Sequence, residues 1–304
     1  MHRIPAVLAV LGLSALTLVA CSSGPAVASC ERATSDASVL DFAQASGDFG
    51  SPALTLEAPV YVDETTFTDQ VVGDGMRVTS DAQDVVFSVS FVNGATGAAI
   101  LSSGTQVQAL STWRDNYDGL AQMMSCATEG SRVVGAIPAS DVSEAAATQL
   151  GITADQSVVV VLDLQKVYLA AADGTPQYND RRGMPSVVLA PDGRPGVIVP
   201  DSAAPSELAV EVLKKGDGTQ ITDADTVRVH VTAVNWNTRE VISSTWEDGA
   251  TQAVTASSST PYAPELVGET VGSQLLVVSP GATDTDAATV YVVDIIGIDT
   301  PTAQ

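Results

Sequence analysis

One segment of this chain recurs inside it. Val85 to Ser102 reads VVFSVSFVNGATGAAILS, and 142 residues later Val227 to Ser244 reads VRVHVTAVNWNTREVISS. Val85, Val89, Val92, Asn93, Thr96, Ile100 and Ser102 return as Val227, Val231, Val234, Asn235, Thr238, Ile242 and Ser244. Upstream, Gly73-Asp74-Gly75 matches Gly216-Asp217-Gly218 at an offset of 143; downstream, Gly130-Ser131 with Pro138 matches Gly272-Ser273 with Pro280 at 142. An offset held over such a length means a duplicated unit, so whatever fold the chain adopts is built twice.

Both copies alternate apolar and polar residues ahead of a polar turn, the pattern of a half-buried antiparallel strand entering a hairpin. The face toward the core is Val85, Phe87 and Val89 in one copy and Val227, Val229 and Val231 in the other. Each copy ends in a β-branched run, Val158 to Leu164 and Val290 to Ile296, which reads as a buried central strand. Before that run the first copy carries 18 residues, Ala139 to Gln156, where the second has seven, Gly281 to Ala287. Between the copies, Ala171 to Ala204 is rich in Pro, Gly and Asp and reads as a linker, ordered in part at Val187 to Leu189 and Val197 to Val199.

The N-terminus has the layout of an export signal: Met1, His2 and Arg3 give a positive start, and an apolar run follows from Ile4 to Ala20. The run is shorter than a membrane-spanning helix needs. It stops at Leu18-Val19-Ala20-Cys21, which resembles the lipobox of bacterial lipoproteins. Cys21 would then carry the lipid, and two acyl chains suffice for a stable anchor. The alternative is an ordinary signal with an incidental cysteine. Cys30 and Cys126 remain, and outside the cytoplasm two leftover thiols more often pair than stay free. Such a bridge could contribute on the order of 4 kcal/mol through loop closure; two unrelated thiols are the other reading. The expected divisions are therefore a signal over 1–20, a flexible tether over 21–50, a first domain over 51–170, a linker over 171–205 and a second domain over 206–300.

Removing Arg3 with the signal leaves 12 basic residues against 36 acidic. With only three Lys, the chain cannot assemble the basic patch that nucleic acid or an anionic bilayer requires. Nor do Cys30, Cys126 and His230 offer a recognisable zinc spacing, so no metal or cofactor is expected.

Val210-Glu211-Val212-Leu213-Lys214-Lys215-Gly216-Asp217-Gly218, Val227 to Thr232, Ser243-Ser244, Leu266-Val267-Gly268, Val271-Gly272-Ser273 and Val293 to Gly297 together resemble the FKBP-type peptidyl-prolyl isomerases, over Leu208 to Ile298. The first copy, Val60 to Tyr168, shares the resemblance through the internal alignment. What this implies is an α+β fold of two tandem FKBP-like domains, each an antiparallel sheet wrapped around a short helix, near Asn116 to Met124 and near Tyr262 to Val267. A generic β-sandwich is the alternative.

The family's chemistry needs no nucleophile. An apolar pocket holds the twisted imide better than either planar form, lowering a barrier of about 20 kcal/mol. Carried onto this sequence, the pocket positions fall on Tyr262 as aromatic floor, Val231 where the family has a strand tyrosine, and Val241 and Ile242 where it has Phe-Asp. Ser258 and Ser259 replace aliphatic residues, and the short loop has no tyrosine. In the first copy the acid position falls on Ile100 and the floor near Asn116, with Trp113 and Tyr117 as neighbours. Trp236 and Trp246 read as packing or rim residues, and His230, which alternates outward, as a surface residue. The resemblance implies proline-containing peptides or unfolded exported proteins as partners and folding assistance on the outer face of the cell membrane. The same departures also fit a degenerate FKBP-like module that binds peptide or protein without isomerising it, or a structural envelope lipoprotein.

Overall fold

The computed structural model describes residues 30–32, 37–105, 107–179, 181–281, 283 and 287–299. The signal segment, Cys21 and the start of the tether lie outside the described residues, as does most of the loop 281–287. The first part of the chain forms β1 (Ala43–Ser46), β2 (Ala53–Leu56), β3 (Thr66–Val71), β4 (Asp84–Asn93), β5 (Ala99–Gly104) and β6 (Gln108–Ala109). Helices α1 (Leu110–Asn116) and α2 (Asp118–Met124), strand β7 (Arg132–Pro138), helix α3 (Glu144–Leu150) and strand β8 (Ser157–Val167) follow. The second part contains β9 (Thr175–Pro176), β10 (Ser186–Leu189), β11 (Pro195–Ile198), β12 (Ala209–Lys215), β13 (Thr226–Asn235) and β14 (Val241–Ser244). It ends with α4 (Thr245–Asp248), β15 (Gln252–Thr255), a 3-10 turn over Ala263–Leu266, β16 (Gln274–Ser279) and β17 (Thr289–Ile298).

The architecture is mostly antiparallel sheet with few helices. One sheet runs β3-β7-β8-β4-β5 with β6 added to β4; the other runs β12-β16-β17-β13-β14 with β15 added to β13 and β9 added to β12. The strand order is the same, and the β-branched runs form its central strands, β8 and β17. Irregularities repeat as well: the ladder shifts between Asp69 and Val71 and between Val212 and Lys214, between Val86 and Phe87 and between Arg228 and Val229. In each hairpin an asparagine caps the turn. The Asn93 side-chain oxygen accepts from the N–H groups of Ala95 and Thr96, and Asn235 from those of Asn237 and Thr238.

The two glycines that open the repeated turns are required by close approach. A Cβ on Gly73 would stand 2.1 Å from the carbonyl oxygen of Glu129, and one on Gly216 at 2.1 Å from that of Val271. Each glycine N–H donates to a serine hydroxyl, Ser131 or Ser273, at 2.9 Å.

Every sheet has two apolar faces. On the inner face of the first, Val85, Phe87 and Val89 pack with Leu120, Met123 and Met124 of α2; in the second, Val227, Val229 and Val231 pack with Tyr262, Ala263 and Leu266. The outer faces are covered by hairpins. Strands β1 and β2 pair with one another and supply Leu56, with Ala43, Ala45 and Leu54, to a cluster with Val92, Val134, Val159 and Val161. Strands β10 and β11 do the same for the second sheet, where Val187 and Val197 join Val234, Trp236, Leu276, Val278 and Val292. The covers are themselves repeats, since β1 and β10 are offset by 143 and β2 and β11 by 142. The segment expected as tether therefore carries the first strand of one covering hairpin, whose second strand lies in the expected first domain, and the expected linker carries the whole of the other, ordered at the apolar stretches named above.

Glu31–Gln304 packs as one compact unit, and contacts join its two repeats. Tyr168 donates its hydroxyl to Asp299 at 2.9 Å, the Leu169 N–H bonds the Ile296 carbonyl at 3.0 Å, and the Thr251 hydroxyl donates to the Asp84 carboxylate. Of the expected helices, the first is two helices, α1 and α2, meeting at Tyr117; the second is the single 3-10 turn Ala263–Leu266. The long loop of the first repeat is organised by α3, whose Ser143 cap accepts from the Ala146 N–H.

Replacing Gly216 by Ala should destabilise the fold by about 3 kcal/mol in urea denaturation, because a backbone carbonyl must move. Gly249→Ala, at a left-handed position with open space around it (φ 65°), should cost only about 1 kcal/mol.

Candidate functional site

The four positions singled out in the second repeat separate. Val231 points inward from β13, and Tyr262 stands just ahead of Ala263-Pro264, where proline suits the first turn of a helix. These two share one apolar cluster. Tyr262 is only 3 % exposed, its ring 5.3 Å from that of Tyr291 and its hydroxyl 3.4 Å from Gln252 Oε1. Burial, with Tyr291 beside it, pushes the phenol up to about 12. The place of a pocket floor is thus occupied by a packed side chain. Val241 and Ile242 stand exposed on β14 and do not join the Tyr262 cluster. The clefts beside Val188, beside Tyr178 and beside His230 do not border Tyr262.

In the first repeat the equivalent region is aromatic. Phe87 and Phe91 alternate inward along β4, and Trp113 and Tyr117, four apart, share one face of α1 and its C-terminal cap. Phe87 meets Trp113 edge-on with centroids 4.8 Å apart; Tyr117 lies 6.2 Å from Phe91 and 6.4 Å from Trp113. Ile100 and Leu101 of β5, Ala147 of α3 and Ala139 pack against the same cluster. Trp113 and Tyr117 are partly buried, and burial raises the Tyr117 hydroxyl above its ordinary value. The indole N–H of Trp113 is buried and has no partner. Asn116, near which the floor was expected, turns away and donates its amide to the Thr112 carbonyl at 2.8 Å. Phe87 is fully buried and Phe91 4 % exposed, so only the partly buried Trp113 and Tyr117 offer aromatic surface to an apolar ring. Trp113 and Tyr117 stood out in the sequence only as neighbours of the floor position; Phe87, read as facing the core, is buried there, and Phe91 was not singled out.

His230 is not a surface residue. Its strand face does point away from the inner core, but that face is covered, leaving the side chain 7 % exposed. The ring stacks on Trp246 at 4.0 Å and 20°, and Nδ1 lies 2.9 Å from the Thr245 hydroxyl. Burial pushes the imidazole down to about 4. Together with Asp84, Ser111, Asp192, Trp246 and Thr251, His230 lines a cleft of about 210 Å³ between the repeats. Asp84 is pushed upward, chiefly by burial, against the lowering effect of the Thr251 hydroxyl. Trp246 thus rims a cleft, whereas Trp236 is buried on the outer face of its sheet. Cys30 and Cys126 both stand in a disulfide, Cys126 with φ 63°.

No family model matches the sequence, and no curated protein matches it. Solved structures similar to this chain are FKBP-domain proteins. The three FKBP domains of wheat FKBP73 match at 13 % identity over 77 % of this chain and 94 % of that one, with a TM-score of 0.33. The N-terminal domain of FKBP42 from Arabidopsis thaliana matches at 17 % over 34 % of this chain and all of that one, TM-score 0.28. FkpA from Escherichia coli matches at 15 % over 39 % and 53 %, TM-score 0.28.

The depressed His230 pKa fixes a pH dependence. The unfolded chain binds a proton near pH 6.5 that the folded chain takes up only near 4, so the histidine's share of stability is whole above 6.5 and lost as pH falls toward 4. Asp84 and Asp294, raised by burial, act in the opposite sense. The difference between wild type and His230→Gln in urea unfolding should therefore shrink by about 2 kcal/mol between pH 7 and pH 4.

Proposed function

We propose that this chain is a lipid-anchored, FKBP-like protein of the cell envelope that binds proline-containing segments of exported proteins and isomerises them at the aromatic cluster of its first repeat. The observation that carries the reading is the cluster of Phe87, Phe91, Trp113 and Tyr117. Further support comes from the residue resemblance in the second repeat and from two sheets of one strand order, each packed on short helical segments, which is what two tandem FKBP-like domains require.

The mechanism asks little of the residues. An X-Pro imide held against the partly buried rings of Trp113 and Tyr117 loses the water that stabilises its polar planar form. No bond is broken, so an acid or a nucleophile is not essential. The second repeat would then serve as scaffold, its floor position filled by Tyr262. A second reading, binding without turnover, is favoured by Ile100, which puts an aliphatic side chain where the family has its acidic residue.

With the chain from Ser22 to Gln304, which includes all of the compact unit, isomerisation of a proline-containing tetrapeptide should exceed the spontaneous rate. Trp113→Ala should lower kcat/KM about tenfold or more, while Tyr262→Phe leaves it unchanged. Binding with only the spontaneous rate selects the second reading; neither binding nor turnover removes both. For the anchor, Cys21→Ala should move the protein from the membrane fraction to the soluble fraction of cells expressing the full sequence.

A further inference from the structure

The repeats also differ on a surface apart from the aromatic cluster. Between β14 and the β10–β11 hairpin lies an open groove of about 420 Å³, walled by Val188, Leu189, Pro195 and Val241. Val188 is 56 % exposed, Val241 49 % and Leu189 40 %. Among the described residues β14 has β13 as its only strand neighbour, so its other edge of N–H and C=O groups is unpaired within that sheet. Edge strands are usually blunted by charge, proline or a cover, because an open one accepts a further strand.

The first repeat provides an internal control. At the offsets of 143 for the first hairpin strand and 142 elsewhere, Val188, Leu189, Pro195 and Val241 correspond to Ala45, Ser46, Ala53 and Ala99. A surface built on the same strands carries small side chains in one copy, three of the four alanine, and larger apolar ones in the other. Pro195 is buried, but core packing does not account for Val188, Leu189 and Val241, which project into solvent.

Charge selects the occupant. Glu240 precedes β14, Glu247 and Asp248 follow it, and all three are exposed, with Glu247 and the single cation Arg194 on the groove wall. The whole chain carries a formal charge of −23, so a second copy would meet this edge against strong repulsion. We propose that the groove binds an extended apolar segment of another protein, flanked by basic residues, as an added strand against β14.

The test uses a fluorescein-labelled peptide KVTVTVK and its acidic counterpart EVTVTVE, with binding to the Ser22–Gln304 chain read by anisotropy. The basic peptide should bind, the acidic one should bind at least about tenfold more weakly, and raising salt from about 0.05 M to about 0.5 M should weaken the basic peptide several-fold. Val188→Ala/Leu189→Ser/Val241→Ala installs first-repeat residues and should lose about tenfold in affinity with an unchanged circular dichroism spectrum, whereas Trp113→Ala should keep it. If the triple variant does not fold, the single exposed change Val241→Lys should give the same loss. No binding of the basic peptide, equal binding of both peptides, unchanged affinity in a folded groove variant, or dimerisation of wild type that the groove variant abolishes would each overturn the proposal, the last by assigning the edge to a second copy.

Discussion

A strand buried on both sides has no face to offer water, and the rest of this fold follows from that. Along β8, Val158 to Leu164 are all inaccessible, and β17 is buried nearly as completely. At about 1.5 to 3 kcal/mol for each fully buried valine, leucine or isoleucine, such strands are the largest apolar investment in either sheet. Helical segments close one face. The other would be open without a second layer, and in each repeat that layer is the hairpin immediately preceding the sheet, β1–β2 or β10–β11.

Polar chemistry inside the sheets shows the same dependence. Asp163 and Asp294 sit at matching points of the central strands, both fully buried, where an unsatisfied carboxylate would be costly. Asp163 takes two bonds from Arg132, at 2.6 and 2.8 Å, and one from the Gly50 N–H at 2.8 Å. Asp294 takes one from the Gln274 amide at 2.7 Å and one from the Ala172 N–H at 2.9 Å. Gly50 lies between the strands of one covering hairpin, and Ala172 lies in the segment leading into the other. Each carboxylate thus ties the segment ahead of a sheet to its middle. With no cation directly on it, Asp294 is raised by burial.

The repeat, the central strands and the inward alternation could be read from the residues because Val, Ile and Asn recur where backbone geometry demands them. The covering hairpins could not. Ala43-Gln44-Ala45-Ser46 and Ser186-Val187-Val188-Leu189 occupy equivalent places but share no residue, since a cover needs only some apolar contact and its outer face is free to diverge. His230 misled for a related reason: alternation shows which side of a strand a residue takes, not what lies over that side. The candidate site was half legible. Tyr262 and Val231 share one apolar cluster, but sequence spacing carries no information on whether a ring lines a hollow or fills it. Trp113 and Tyr117 were visible as aromatics near a helix; only the fold brings Phe87 and Phe91 to them.

The contacts that join the repeats bear on how such a protein can change over time. Tandem copies ordinarily remain separable, so one can decay or be deleted while the other works. Here Tyr168 closes the first copy against Gly297 and Asp299 of the second, and Asp84, buried, takes the Thr251 hydroxyl from across the boundary. Deleting either copy would strip a wall from its sibling and leave an acid or a phenol facing an emptied space. A change in either copy at this boundary is thus felt by a side chain of the other.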